Sequence, residues 1–321
     1  MGNTQNIFFL EVETEDKDLI SKKFPQAKII HKVLSEKEII KQCHEAEILC
    51  TFIYSKISNK VIESLPRLKL IVTRSVGYDH IDLQAAKKRG IIVCNVPDYG
   101  SHVIAEHVFA LLLSGLRHIE EGDNRTERYK KFIFSGLRGM ALKGKTLGIV
   151  GTGKIGKNVA RIASLGFLMN VIACDPYPDE NAAMENHFKY VNFRKILKES
   201  DIISLHCPLL PTTKHLINKK NISMMKNGVV IVNTSRGDVI KTEDLVKAIK
   251  SKKIAYAFLD VLEHENNLKS NKELIDLPNV ITTPHIAFYA DDSMKKMYAD
   301  SFSIIKSFLN KKEIKNQIKG L

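Results

Sequence analysis

No apolar run in this chain approaches the roughly 18–20 residues that a membrane-spanning helix requires, so a membrane span is not expected. Cysteine is scarce: the five (Cys43, Cys50, Cys94, Cys174, Cys207) are odd in number and form no C-x-x-C pair. That argues against a disulfide scaffold, and their place in apolar runs suggests reduced, buried thiols of a cytoplasmic protein. The stretch from Met1 to Leu10 lacks a basic segment and a small-residue cleavage site, so secretion is not expected either. No H-E-x-x-H occurs, and His102 and His107, five apart, do not share a helix face as a metal pair would. No metal is therefore expected. Gly/Ser linkers and low-complexity tracts are also missing, and no Walker-type lysine sits where an NTPase needs one.

What is present is ordinary for a soluble globular protein: 44% hydrophobic and 26% charged residues over 321 positions, enough for two domains. The formal net charge of +13 comes mainly from lysines spread along the chain and alternating with acids, as from Lys195 to Asp201 and from Lys241 to Lys253. Only Lys306 to Lys319 is locally basic, with Phe308 as its one aromatic. This pattern reads as a solvated lysine-rich surface, not as a nucleic-acid or membrane face. An anionic cofactor and substrate would still benefit from the field.

In the first hundred residues short apolar runs alternate with amphipathic patterns. Strands are predicted at Ile7–Val12, Ala27–Ile30, Glu47–Phe52, Lys69–Thr73 and Ile91–Cys94, and helices at Asp16–Phe24, Glu36–Cys43, Lys60–Leu65 and Leu83–Lys88. From Lys145 the alternation begins again, with strands near 146–150, 170–174, 202–206, 229–233, 255–259 and 279–282. Such alternation predicts parallel α/β sheets. The helix from Ser101 to Arg117 is apolar on most sides, as for a helix buried between domains. A last amphipathic helix, Ser293 to Leu309, could return to the first unit. The expected organisation is a discontinuous domain of residues 1–100 and 288–321, a second domain of residues 101–287, and a cleft between them.

The most informative stretch is Gly151-Thr152-Gly153-Lys154-Ile155-Gly156. It follows the strand-like run Thr146–Val150, opens a helical pattern, and precedes a second run, Val171–Cys174, that ends at Asp175. In that setting the first glycine makes the turn, the second admits a pyrophosphate to the backbone, and the third lets helix and strand pack closely. The diphosphate would sit on open N–H groups at the helix N-terminus.

Three further residues lie where predicted strands run out into loops. Arg236 follows Val229–Val232, Glu265 lies five residues beyond Asp260, and His285 follows Thr283-Pro284. Loops at the carboxyl ends of parallel strands form the ligand crevice. A guanidinium binds a carboxylate in a forked pair. An imidazole gives or takes a hydroxyl proton, and a carboxylate on its other nitrogen fixes the tautomer and favours the protonated ring. Together they suit hydride transfer coupled to proton transfer on a 2-oxo or 2-hydroxy acid.

Several stretches resemble the D-2-hydroxyacid dehydrogenase family along nearly the whole chain: Thr73-Arg74-Ser75-Val76-Gly77-Tyr78-Asp79-His80-Ile81-Asp82, Ala105-Glu106-His107, Leu142–Gly148, the glycine turn, Leu205-His206-Cys207-Pro208-Leu209, Asn233-Thr234-Ser235-Arg236-Gly237, Asp260-Val261 and Thr283-Pro284-His285. The resemblance implies a Rossmann-type NAD domain inserted into a flavodoxin-like substrate domain, both doubly wound parallel sheets. It implies Arg236 as carboxylate binder, His285 as acid/base and Glu265 as its partner, with N–H groups of Val76 and Gly77 cradling the substrate carboxylate. It places Lys154 and Ile155 at the pyrophosphate, Asp175 at the adenosine ribose, Cys207, Pro208 and Thr213 along the adenosine, and Thr234 and Asp260 near the nicotinamide. Asp175 favours NAD over NADP, since its carboxylate repels a 2′-phosphate and Pro176-Tyr177-Pro178 supplies no arginine. A homodimer, formed through the 101–117 region, is a further expectation from the resemblance.

Within the family, His285-Ile286-Ala287-Phe288-Tyr289 and Tyr99 as a substrate-side residue look more like D-lactate than phosphoglycerate enzymes. No extra regulatory domain follows by Leu321. Phe52, Ile53 and Tyr54 offer an apolar surface suited to a small side chain. Arg74 is the counter-indication, as a cation for a phosphate, unless it pairs with Asp79. Pyruvate/D-lactate is therefore the expected couple. Phosphoglycerate, hydroxypyruvate or glyoxylate chemistry is the alternative, and an NAD(H)-sensing interaction protein without turnover is a second.

Overall fold

The computed structural model describes residues 6–265 and 267–318. They form two compact α/β units, one from the residues up to Gly100 together with Ala290 onward, the other from Ser101 to Tyr289.

The first unit holds five parallel strands, β1 (Ile7–Phe9), β2 (Lys28–Ile29), β3 (Ile48–Thr51), β4 (Leu70–Thr73) and β5 (Ile92–Cys94), in the order β2-β1-β3-β4-β5. This is the flavodoxin-like doubly wound order. The continuous apolar character of β3 and β4 follows from burial on both faces. Phe8, Leu49, Ile71 and Val93 face one side with Ile39, Val61, Ile62 and Ala86 from the covering helices. On the other side the rings of Phe9, Phe24 and Phe302 meet at 5.4–6.0 Å. Phe302 belongs to the helix Asp291–Leu309, which thus packs on the first sheet. The first strand is shorter than the predicted Ile7–Val12 because Glu11 adopts φ +56° and turns the chain out of the sheet. Its carboxylate then accepts from the N–H groups of Tyr54 (3.0 Å) and Ser55 (2.7 Å).

The second unit holds seven parallel strands: β6 (Thr146–Val150), β7 (Asn170–Cys174), β8 (Phe188–Tyr190), β9 (Ile202–Leu205), β10 (Val229–Asn233), β11 (Ile254–Leu259) and β12 (Val280–Thr282). Their order, β12-β11-β10-β9-β6-β7-β8, is the Rossmann arrangement with one more strand at the edge. The chain reverses its direction of winding between β6 and β9, which pair at Val150 and Leu205. Alternate residues serve opposite faces: Ile231 and Leu205 enter one core, Val230, Val232 and Ile202 the other.

One further element departs from the sequence reading. The strand β8 was not predicted, because three residues at a sheet edge leave no sustained apolar run. The helix Ser101–Leu116 spends its apolar faces inside the second unit, where Val108, Phe109, Leu112 and Leu116 pack with Leu147, Val159 and Phe258. No helix among the described residues is long and apolar enough to cross a membrane.

Candidate active site

All strands of the second unit are parallel, so their carboxyl ends share one edge, and the register holds those ends level: Val150 pairs with Leu205, Asn233 with Leu205 and Leu259, and Leu259 with Thr282. The glycine turn follows β6, Asp175 follows β7, Cys207 follows β9, Arg236 follows β10, Asp260 and Glu265 follow β11, and His285 follows β12. The point of reversed winding between β6 and β9 lies within this row, where doubly wound sheets bind ligands.

The glycine turn leads into the helix Lys154–Arg161, whose N-cap is Gly153 with no side-chain cap. Gly151 has φ +96° and lies against the His206–Cys207 peptide, so a β-carbon there would be strained and crowded. A β-carbon on Gly156 would stand 2.1 Å from the Gly151 carbonyl oxygen. On Gly153 it would meet nothing within 4 Å. The space in front of Gly153 is therefore open, beside the first helical residues Lys154 and Ile155, where a diphosphate can reach a helix N-terminus. Asp175 is fixed at this turn, its carboxylate accepting from the N–H of Thr152 (2.6 Å) and of Tyr177 (2.8 Å).

Further along the edge, Cys207 is buried, and burial pushes its thiol up to about 11. Thr213 Oγ1 donates to the Pro208 carbonyl (2.6 Å) and accepts from the Leu210 N–H (2.8 Å), which closes the 208–213 turn. Burial pulls His206 down to about 4, so the ring is neutral, and its Nε2 bonds Ser204 Oγ at 2.8 Å. Thr234 Oγ1 is buried with no partner among the described residues. Buried hydroxyls ordinarily have partners, so an amide or water at this position would complete it. The open space at Gly153, the fixed Asp175 and this hydroxyl together fit a dinucleotide.

The structure brings His285 and Glu265 into contact. His285 Nδ1 lies 3.1 Å from Glu265 Oε2, both side chains half-buried. His285 has φ +56°, an unfavourable conformation for a residue with a β-carbon, of the kind that concentrates at functional sites. Its own N–H donates to the Asp260 carbonyl (2.9 Å). The Asp260 carboxylate, 1% exposed, accepts from Thr283 Oγ1 (2.6 Å), Ile286 N–H (2.8 Å) and Ala287 N–H (2.9 Å), and so grips the chain on both sides of His285.

His107 completes this grip: its Nε2 is 3.2 Å from Thr283 Oγ1 and 3.6 Å from Asp260 Oδ1. Burial lowers the His107 imidazole, against the attraction of Asp260. Sequence reasoning assigned His107 no role, although the run Ala105-Glu106-His107 marked it; its partners are 153 and 176 positions away. Arg236 stands at the end of β10, in a turn built by Asn233. That side chain accepts from the Ser235 N–H (3.0 Å) and Oγ (2.8 Å) and donates to the Arg236 carbonyl (2.9 Å). Arg236 Nη1 donates to the Ser235 carbonyl (2.8 Å).

The remaining candidates belong to the first unit. Val76 and Gly77 follow β4, with the Val76 carbonyl bonded by Asn95 Nδ2 (2.8 Å) and the Gly77 carbonyl by Ser75 Oγ (2.6 Å). Their N–H groups donate to no protein acceptor among the described residues. Tyr99 is buried. Phe52 is buried as well, while Ile53 and Tyr54 are half-buried, and the rings of Phe52 and Tyr54 meet edge-on at 6.0 Å.

Arg74 requires a correction. It neither pairs with Asp79 nor turns outward: it is 1% exposed, and its guanidinium donates to the carbonyls of Leu10 (2.8 Å), Glu11 (2.8 Å) and Cys50 (3.2 Å) beside the Tyr298 ring. These carbonyls at the ends of β1 and β3 bind the cation inward.

Residues 109–287 match the family model described as "D-isomer specific 2-hydroxyacid dehydrogenase, NAD binding domain". The D-lactate dehydrogenase of Escherichia coli strain K12 is 39% identical over 276 residues, 82% of this chain and 83% of that one. A glyoxylate reductase of Thermococcus litoralis is 40% identical over 265 residues, 81% and 79% of the two chains. Among solved structures, D-lactate dehydrogenase from Aquifex aeolicus, complexed with NAD and lactic acid, superposes with a TM-score of 0.88 at 36% identity, covering 98% of this chain and 100% of that one.

Proposed function

The chain belongs to the D-isomer specific 2-hydroxyacid dehydrogenase family and is an NAD-dependent oxidoreductase, and from that premise we propose that it interconverts pyruvate and D-lactate. The observation that carries the chemistry is the pair of Glu265 and His285 at 3.1 Å, on the same sheet edge as the glycine turn.

NADH, when bound, supplies the hydride that reduces the carbonyl carbon. The Nδ1–H of His285 donates a hydrogen bond to Glu265 and keeps its proton, so Nε2 is the atom that gives its proton to the carbonyl oxygen and recovers it in the reverse direction. Arg236 pairs with the substrate carboxylate and draws electron density from the adjacent carbonyl. The N–H groups of Val76 and Gly77 take the other side of that carboxylate as an anion nest. Asp260 holds the 283–287 segment so that His285 presents one orientation.

The inward turn of Arg74 supports a short, uncharged substrate side chain over a phosphorylated one, because it removes the cation suspected beside the substrate turn. The likeness to D-lactate dehydrogenases supports the same choice, while the likeness to a glyoxylate reductase sets the rival. NADH oxidation with pyruvate, hydroxypyruvate, glyoxylate and 3-phosphohydroxypyruvate tests the proposal. Pyruvate is expected to show the largest kcat/KM, and a higher value for any of the others overturns the assignment.

A homodimer and a cytoplasmic location complete the reading. The five free cysteines suit a reducing compartment. For the dimer, Phe132 (96% exposed) and Phe134 (90% exposed), with Tyr129 and Ile133, supply the apolar surface, instead of the helix Ser101–Leu116 whose apolar residues are used internally. Light scattering is expected to give a dimer for the parent chain and a monomer for Phe132→Ser/Phe134→Ser; a monomeric parent refutes the dimer.

A further inference from the structure

We propose that His215 is a positioning residue for the reduction, locking the turn that carries Arg236 to the loop that carries Glu265. The inference rests on the roles given above to Arg236, Glu265 and His285.

His215 lies beyond β9, outside every motif tied to the chemistry, in the left-handed conformation at φ +51°. That conformation is unfavourable in a residue with a β-carbon, so the surroundings must impose it. They do so from two sides. The His215 N–H donates to the Asp238 carbonyl (2.8 Å), two residues beyond Arg236, and the His215 carbonyl accepts from Asn218 Nδ2 (2.8 Å). The ring then reaches across, with Nε2 2.7 Å from Glu263 Oε1, two residues before Glu265.

Glu263 is held as firmly as the residue that reaches it. Its other oxygen accepts from the Thr242 N–H (2.9 Å), at the start of the helix Thr242–Lys250, and its carbonyl accepts from Asn271 Nδ2 (2.6 Å). Burial opposes the charge on Glu263, yet the bonds from Thr242 and His215 hold its carboxyl below the usual range. The two loops also touch through backbone: a β-carbon on Gly237 would stand 2.0 Å from the Leu262 carbonyl and 2.4 Å from the Glu263 nitrogen. Gly237 directly follows Arg236, so any drift of the 260–265 loop is transmitted to the guanidinium.

His215, Asp238 and Glu263 bring their side-chain ligand atoms within 4.8 Å of one another, which resembles a metal site. The Glu263 carboxylate already has donors of the chain on both oxygens, the imidazole at 2.7 Å and the Thr242 N–H at 2.9 Å, while Asp238 lies 4.0 Å from Lys214 Nζ as an open ion pair. The cluster is a clasp between loops. A misplacement of about 1 Å in a reacting group costs up to about a hundredfold in rate, which sets the scale of the effect.

The test compares His215→Ala and His215→Gln with His285→Ala, all as full-length protein. His215→Ala is expected to lower kcat/KM for the 2-oxo acid roughly 10- to 100-fold, with both a higher KM and a lower kcat. The NADH dissociation constant, read by fluorescence titration, should stay unchanged. His215→Gln, which keeps an N–H donor of similar reach, should recover most of the loss. Glu263→Gln keeps an acceptor for Thr242 and serves if His215→Ala does not fold; it should raise KM several-fold. Unaltered kcat and KM in His215→Ala or, failing that, in Glu263→Gln, beside an inactive His285→Ala, overturn the clasp and spare the catalytic assignment. An equal loss in the alanine and glutamine variants also overturns it. Full turnover by His285→Ala overturns the catalytic assignment itself, and the clasp with it.

Discussion

Replacing His285 with alanine is expected to reduce turnover about a hundred- to ten-thousand-fold, the range of general acid–base catalysis, while NADH still binds. The substitution removes the imidazole proposed to protonate the carbonyl oxygen and leaves Glu265 without its partner at 3.1 Å. The backbone should stay in place, because the grip on this segment comes from elsewhere. Asp260 accepts from Thr283, Ile286 and Ala287, and its carbonyl takes the N–H of residue 285 whatever the side chain. The glycine turn and Asp175, several strands away along the edge, are not touched. Steady-state kinetics at saturating NADH, paired with fluorescence titration of NADH, separates the two effects. A parallel loss of NADH affinity would make His285 a structural residue and remove it from the mechanism.

Arg236→Ala should act on a different quantity. Truncating one partner of a desolvated, hydrogen-bonded charge pair costs about 2–5 kcal/mol, so kcat/KM for pyruvate should fall roughly 30- to several-thousandfold. The rise in KM carries most of it, and kcat falls further because the carbonyl loses polarisation. The turn itself should survive the loss of the bond from Nη1 to the Ser235 carbonyl, since Asn233 holds it through the backbone of residues 235 and 236. Arg236→Lys tests the geometry: a single ammonium keeps the charge but cannot form the forked pair, so most of the loss should remain. If lysine restores the parental KM, the interaction is one of net charge and the forked contact is wrong. An unchanged KM in Arg236→Ala would assign carboxylate binding to other groups.

The architecture was legible because its signals are local. A parallel strand buried on both faces must be nearly continuous in apolar residues, and β3, β4, β9 and β10 are. The strand β8 and the short β1 escaped for the complementary reason: one has three residues at an edge, the other ends on the conformation of a single residue, Glu11. The glycine turn was legible because the contact between Gly156 and Gly151 spans five positions of one chain segment. Strand-end position already placed Glu265 beside His285 as a candidate, and the resemblance then named it as the partner. Neither pattern nor resemblance said which way Arg74 points.

What the amino-acid sequence determined by itself is therefore the class of fold, the dinucleotide turn and the residue types able to move a proton and bind a carboxylate. Hydrophobic period, glycine spacing and strand-end position act over a few residues, where chain connectivity already restricts geometry. What only the tertiary structure decided is which side chains share an environment. His107 meets Thr283 across 176 positions, His215 meets Glu263 across 48, and Arg74 meets Leu10 across 64. Those meetings depend on the order β12-β11-β10-β9-β6-β7-β8 in one unit and β2-β1-β3-β4-β5 in the other. Strand order is settled by the burial of whole faces and the pairing of whole strands, energies summed over many residues, so no single residue or motif displays it.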